Sequence, residues 1–423
     1  MAGAGTSRRR RIVDRRLAVA AILLWAGALA LVAIYATQRS NAGTSASTAT
    51  SGSTIAAVSS TLSTGGSAMT SPPTTLPPTT LPPTTEPPTT STTSTTAKAP
   101  QSLTVAAGGD VQGDRKVGTY IDAHGGAAAL AKVKPYLQTA DLAFVNLEGP
   151  ISDKGTKLAW KEYTFRSRTA LASGLAAAGI DVVSMANNHA VDCGPTALLD
   201  TITRLDKVGI AHAGAGKDIA AARTAAMVDT PAGKVAVLAF TDKYASGFAA
   251  GTDHPGVATI SDGTKVLAAI AAAHKKADFV IVSFHWGTEY TSQAAAYQRA
   301  LAHKAVDAGA DLILGHHPHV IQGLEVYHDK LIAYSLGDFV FDHRPGPTGQ
   351  AFVLRVTLHP SGPPVARIIP VYLSDANGIP APVTGKAADA ILDRLTRLSA
   401  AFGAKLTRSG DQAWFGTAAD TTP

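Results

Sequence analysis

Asp311-Leu-Ile-Leu-Gly-His316-His317-Pro-His319 decides how this chain is read. A short apolar run meets a glycine, and three histidines follow within four positions. Packing does not account for a buried strand that delivers several imidazoles to one loop. Neutral imidazole is the commonest metal ligand, so the stretch predicts a metal centre at the carboxyl end of a strand.

The same pattern recurs upstream. Strand-like runs at 103–107, 142–145, 181–185, 235–240, 279–284 and 312–314 alternate with helix candidates at 127–137, 170–178, 196–207, 264–274 and 294–308. That alternation is the signature of α/β architecture. Five of the runs lead directly into polar residues. They are Gly108-Gly109-Asp110, Asn146-Leu147-Glu148, Ala186-Asn187-Asn188-His189, His285-Trp286-Gly287 and the histidine cluster. Open α/β sheets place their ligand crevice at the carboxyl ends of the strands. From Leu324 onward the pattern turns to hairpins, at 324–327, 331–335, 351–358 and 365–371, and a last helix is expected at 387–402.

The donors are mixed oxygen and nitrogen without thiolate, which suits divalent Mn, Fe or Zn better than Ca or a cysteine-type zinc site. Two such ions can hold both the attacking and the leaving oxygen of a displacement. A carboxylate such as Asp110 or Glu148 can bridge them. Asp192 is placed to orient the imidazole of His189, whereas Cys193, the one cysteine, reads as a buried thiol and allows no internal disulfide. His316 reads as an outer partner of the ligands or a turn residue, and Glu289 as a substrate contact or a solvated charge. The histidines at 124, 212, 254, 274, 303, 328, 343 and 359 read as incidental.

In order, Gly-Gly-Asp110, Asn-Leu-Glu148, Ala-Asn-Asn188-His189, His285-Trp-Gly, Gly-His-His317-Pro-His319 and Ser335-Leu-Gly-Asp338-Phe resemble the CapA-type capsule synthesis family, which is related to the calcineurin-like metallophosphoesterases. The resemblance implies a four-layer fold with a β-sandwich flanked by helices. It implies metal ligands at Asp110, Glu148, Asn188, His285, His317 and His319, with His189 as general acid and Asp192 behind it. Asn146, Trp286, Glu289, His316 and Asp338 are then expected as substrate contacts. Two departures stand out. Metallophosphoesterases open with Asp-x-His, and this chain has Asp110-Val111-Gln112; the family more often shows Asn where Asp338 stands. The first leaves one metal or two open.

The remainder of the chain concerns delivery. Residues 1–16 form a basic tail, and 17–36 an uncharged apolar run long enough to span a bilayer, here expected as a signal anchor with the arginines cytoplasmic. Residues 37–100 are rich in Ser, Thr and Pro, with Pro-Pro-Thr-Thr-Leu repeated at 72–76 and 77–81, and are expected as an extended, disordered stalk. Residues 101–375 are expected as the folded domain and 376–423 as a C-terminal helix and tail. Residues 1–100 hold seven Arg and one Lys against Asp14 and Glu86, which accounts for the whole formal charge of +6. The remainder is balanced, so nothing points to nucleic acid. The expected partners are the membrane, a capsule-synthesis complex and an extracellular anionic or cell-wall polymer. The expected function is metal-dependent hydrolysis or transfer in making that polymer, with a non-catalytic polymer-binding or scaffold subunit as the rival.

Overall fold

The computed structural model describes residues 101–342 and 345–416. The basic tail, the expected anchor and the stalk lie outside the described residues, as does His343. Among the described residues no helix is long and apolar enough to cross a membrane.

Two large sheets dominate. In the first, Leu103–Val111 lies between the parallel strand Leu142–Leu147 and the antiparallel strand Gln350–Leu358. Val182–Ser184 and Ala211–Ala213 extend it on one side, and Val365–Leu373 on the other. In the second, Gly233–Thr241, Phe279–His285, Leu312–His316 and Lys330–Ala333 run parallel in that order, with antiparallel edges at Ala226–Thr230 and Leu324–Tyr327. Side chains alternate faces along a strand. Val105, Ala107, Leu142, Phe144 and Val182 therefore meet Val237, Ala239, Ile281, Leu312 and Leu314 in one apolar layer between the sheets. Ala106, Ala143, Val145 and Val183 face the helices Ala170–Ala178 and Pro195–Lys207 through Leu171, Leu175, Leu198 and Leu205. Val280, Val282, Phe284 and Ile313 face Gly263–His274 and Ala296–Asp307 through Val266, Ile270, Ala302 and Ala305. Three apolar layers separate four layers of structure, helix–sheet–sheet–helix, as expected. Each fully buried Val, Leu or Phe contributes about 1.5–3 kcal/mol.

Some details differ from expectation. Four of the five site strands run longer than the apolar runs, because their polar ends stay in the ladder: Asp110 pairs with Asn146, and His285 with Thr241 and His316; the fifth, Val182–Ser184, is shorter than expected. The helix expected at 127–137 is reduced to two short turns, Gly126–Ala129 and Lys134–Leu137, and the longer helix here is Arg115–His124. Gly125 and Pro135 punctuate that region. The two hairpins join different sheets, the first the second sheet and the second the first. The piece expected after 375 is no appendage. Helix Gly385–Ala400 packs Ile391, Leu392 and Leu395 into the layer between the sheets, and Gln412–Phe415 pairs with Val365–Leu373. His303 is not incidental either: it hydrogen-bonds Glu325 and stacks on Tyr327.

Asp200 fixes the chain just after the expected ligand Glu148. Its carboxylate accepts from Ser152 Oγ at 2.7 Å and Arg204 Nε at 2.7 Å, and pairs with Lys154 at 2.8 Å. Burial pushes this carboxyl up, but Lys154, Arg204 and Ser152 outweigh it and hold it below the usual range. A depressed folded value means stability that is full at neutral pH and lost as pH falls through the carboxylate range. Asp200→Ala is expected to cost about 2 kcal/mol at pH 7. The gap between the melting temperatures of variant and wild type should narrow as pH falls below the ordinary carboxylate range; a gap as wide at pH 2 as at pH 7 would contradict this account.

Candidate metal centre

The carboxyl ends of both sheets open onto one cleft. Asp110 arrives on Leu103–Val111 after a bulge that shifts the register between Ala107 and Asp110. Glycine is needed there, since a Cβ on Gly109 would lie 1.8 Å from Gly337 O. Gly315 serves the same end beneath the histidine cluster, where a Cβ would lie 1.9 Å from Tyr334 O. Backbone strain concentrates at the site. Of six positive-φ residues other than glycine among those described, Arg115, Tyr290, His317 and His319 border or form the cleft. Such strain persists where surrounding structure enforces it, and it clusters at functional sites.

The expected ligands converge. Asp110, Glu148 and His285 bring one donor atom each within 4.8 Å of one another, and so do Asp110, His319 and Asp338. A further group joins Glu289, His317 and His319. His285 Nε2 lies 2.7 Å from Asn188 Oδ1 and 4.0 Å from Glu148 Oε1. Asp110 belongs to two of the groups, which is what a carboxylate shared by two cations requires.

Three of these donor atoms lack a hydrogen-bond partner. Glu148 is fully buried, and neither carboxylate oxygen has a hydrogen bond; His317 Nδ1 is likewise unpaired. Burial, then the Asp110 carboxylate beside it, pushes Glu148 well above its ordinary value. His319 goes up as well: burial opposes this, but Asp338, Glu148 and Asp110 overcome it. Both shifts draw protons toward a place short of positive charge. Burial, then the other imidazoles, pushes His285 well down and His317 to about 3, so both rings are neutral, as ligands must be. Orphaned buried carboxylate oxygens among neutral imidazoles fit a divalent cation.

Not every expected contact faces the cleft. Trp286 is fully buried, stacked on Phe284, and donates its indole N–H to Tyr334 O. Alternation puts it on the opposite face from His285, so the structure places it in the core and not on a substrate. Asn146 is also fully buried, and bonds Asp110 at 2.9 Å and His285 at 3.3 Å; it braces ligands. His316 lies behind Asp110, 3.1 Å from Oδ1 but out of hydrogen-bonding alignment, against Phe144. Asp338, expected as a substrate contact, sits in register with Asp110 on a parallel strand and reaches His319 Nδ1 at 2.8 Å, within one of the groups that could hold a metal ion. Glu289 is exposed on the cleft wall, where a substrate contact belongs. Gln112 is buried but turned away, with Nε2 on Asp342 and Oε1 taking the Asp114 N–H.

His189 stands beside the ligands, with Nε2 3.6 Å from Glu148 Oε1. Asp192 holds Nδ1 at 2.6 Å and is itself held by Phe165 N and Lys161 Nζ. Burial lowers this ring to about 4; Asp192 opposes the shift, and Lys161 and His319 add to it. Lys161 also donates to Asn188 O at 2.6 Å and so ties the expected acid–base group to an expected ligand. Sequence reasoning missed Lys161, which lies in a stretch with no motif around it, and Arg115, which follows the Asp110-Val111-Gln112 motif closely but was not singled out. The cleft encloses about 580 Å³, with Arg115, Lys161, Tyr163, Phe165, Tyr290 and Phe341 along its walls.

With this geometry in hand, comparison with known proteins is informative. The family model described as "Bacterial capsule synthesis protein PGA_cap" matches residues 104–343. "Capsule biosynthesis protein CapA" of Bacillus anthracis is 32% identical over 297 residues, covering 67% of this chain and 70% of that protein. "PGA biosynthesis protein CapA" of Bacillus subtilis (strain 168) is 34% identical over 283 residues, covering 66% and 74%. Among solved structures, a crystal structure described as a novel phosphatase of Mycoplasma pneumoniae aligns at a TM-score of 0.38 and 17% identity, covering 64% of this chain and 89% of that one. At that score it carries no argument.

Proposed function

This chain belongs to the bacterial capsule synthesis protein family PGA_cap, and from that premise we propose that it is a metal-dependent hydrolase or transferase acting on an anionic capsule or cell-wall polymer of the poly-γ-glutamate kind. The observation that carries the proposal is Glu148, buried and without a hydrogen bond in the middle of the expected ligands. Asp110, Glu148, Asn188, His285, His317 and His319, with Asp338, would hold two divalent ions of the Mn, Fe or Zn class. When bound, such ions act as Lewis acids on a phosphoryl or carbonyl oxygen.

The chain's own residues do the rest. His189 rests as a neutral ring, its Nδ1–H donating to Asp192, so Nε2 takes a proton before it returns one to a leaving oxygen. This refines the general-acid role that the resemblance implies. Asp192 and Lys161 fix the plane of that ring. Arg115 stacks over Phe165 at 4.7 Å and meets Asp342 at only 3.5 Å, so it can turn to an incoming anion. Phe165 and Phe341 pack edge to face along one wall and keep water from the reacting groups. The domain would work outside the membrane, held by the apolar run 17–36.

Gln112 favours a second reading, because its bonds to Asp342 and Asp114 withhold the donor that Asp-x-His would supply. Under that reading the chain is a polymer-binding or scaffold subunit. Metal content of the purified full-length chain, wild type beside His317→Ala, separates the two. Close to two equivalents in wild type, reduced in the variant along with turnover of a generic phosphodiester or the polymer, supports the enzyme. No metal in either protein overturns it and leaves the scaffold.

A further inference from the structure

A polymer that enters the cleft must continue past it. The loops that border the cleft through Tyr290 and Thr348 also border a second cavity, through Ser292, Gln293 and Gln350. This cavity encloses about 480 Å³, and helix Gly385–Ala400 forms its floor through Arg394 and Arg397. The helix lies outside the residues that the family model matches.

The two guanidiniums are one turn apart and lack counter-ions. Arg394 is half-buried, and its partners are neutral: Gln350 Oε1 at 3.0 Å and Ser292 Oγ at 2.6 Å. Arg397 is exposed and donates to a backbone oxygen, Asp393 O, at 3.3 Å. Among the described residues no carboxylate is within ion-pair distance of either, whereas Arg204, Arg299 and Arg408 each pair with one. Burial and the neighbouring Arg397 both lower Arg394, and no nearby acid offsets them. Leaving a desolvated cation without an anion costs free energy, and a ligand's anion removes that cost.

We infer that the cavity floored by Arg394 and Arg397 is an anion site that holds carboxylates of the polymer chain beyond the metal cleft. Planar guanidiniums suit carboxylate groups presented in series, and Ser292 and Gln350 already hold Arg394 in position. The inference rests on the anionic-polymer reading of the cleft.

The test is binding of labelled poly-γ-glutamate to the full-length chain at low and moderate salt. R394Q/R397Q is expected to weaken binding about tenfold and to flatten its salt dependence. R397E alone, at an exposed position the fold does not need, should weaken it too. Melting temperature, metal content and phosphodiester turnover should stay at wild-type values. Inorganic polyphosphate run alongside separates carboxylate from phosphate recognition: arginine-dependent binding of poly-γ-glutamate supports the inference, and arginine-dependent binding of polyphosphate alone overturns it. Variants that bind as wild type does, or a wild type that binds neither polymer, overturn the inference. Neither result touches the His317→Ala metal measurement, so failure of this site and failure of the proposed chemistry remain distinguishable.

Discussion

Glu148→Gln is expected to raise the melting temperature of the metal-free chain while abolishing its stabilisation by metal. The wild-type side chain is fully buried with both oxygens unbonded, beside the carboxylates of Asp110 and Asp338. Without a cation the fold carries an unpaired buried charge or a carboxyl forced to keep its proton, and either costs free energy. An amide of the same shape removes the charge and offers donors to an acceptor-rich setting that includes Asp110 and His189 Nε2, 3.6 Å from Glu148 Oε1. The gain should be about 2 kcal/mol, or a rise of about 4 °C in Tm. Added Mn or Zn should then raise wild-type Tm steeply and the variant hardly at all, since ligand stabilises only what it binds. Metal and proton compete for the same atoms, so the wild-type gain should shrink as pH falls. Thermal melts with and without chelator check this. A variant less stable than wild type without metal, and still stabilised by it, would make Glu148 a structural residue.

His189→Ala is expected to lower kcat by about 10²–10⁴-fold with metal content and KM little changed. His189 lines the cleft and is fixed by a carboxylate, through Asp192 Oδ2 at 2.6 Å, with its far nitrogen toward the expected ligands. Asp192→Asn leaves the ring present but poorly oriented and should cost about 10–100-fold. Burial first, and Lys161 with it, keeps the ring near 4, so the acid limb of the rate profile lies well below neutrality. Lys161→Met removes one depressing charge and should move that limb upward. Steady-state rates against pH for the three variants check this. If His189→Ala loses metal instead of rate, His189 is a ligand and proton transfer belongs elsewhere.

Expected ligands were legible in the sequence because ligation is side-chain chemistry at strand ends. Asp110, Glu148, Asn188, His285, His317 and His319 each follow an apolar run, and the structure gathers all six around one cleft. The neighbours were less legible. His285 and Trp286 are adjacent in sequence, yet alternation turns one to the cleft and the other to the core; a one-residue shift would exchange them. Alternation, applied at that point, was enough to find this.

The motif Ser335-Leu-Gly-Asp338-Phe marked Asp338 for the site, but it meets Asp110 only because its short strand inserts in parallel register beside Leu103–Val111. Lys161 comes from a stretch without motif, and Arg115 opens the helix that follows Asp110; only the folded strand ends bring both to the cleft. The C-terminal helix likewise joins the second cavity through packing that only the assembled sandwich supplies. The sequence by itself determined the α/β class and the donor set, because periodicity and ligand chemistry are local properties. Only the tertiary structure decided which polar groups brace, which ligate and which face substrate, because register, bulges and sheet membership are settled by contacts far apart in the chain.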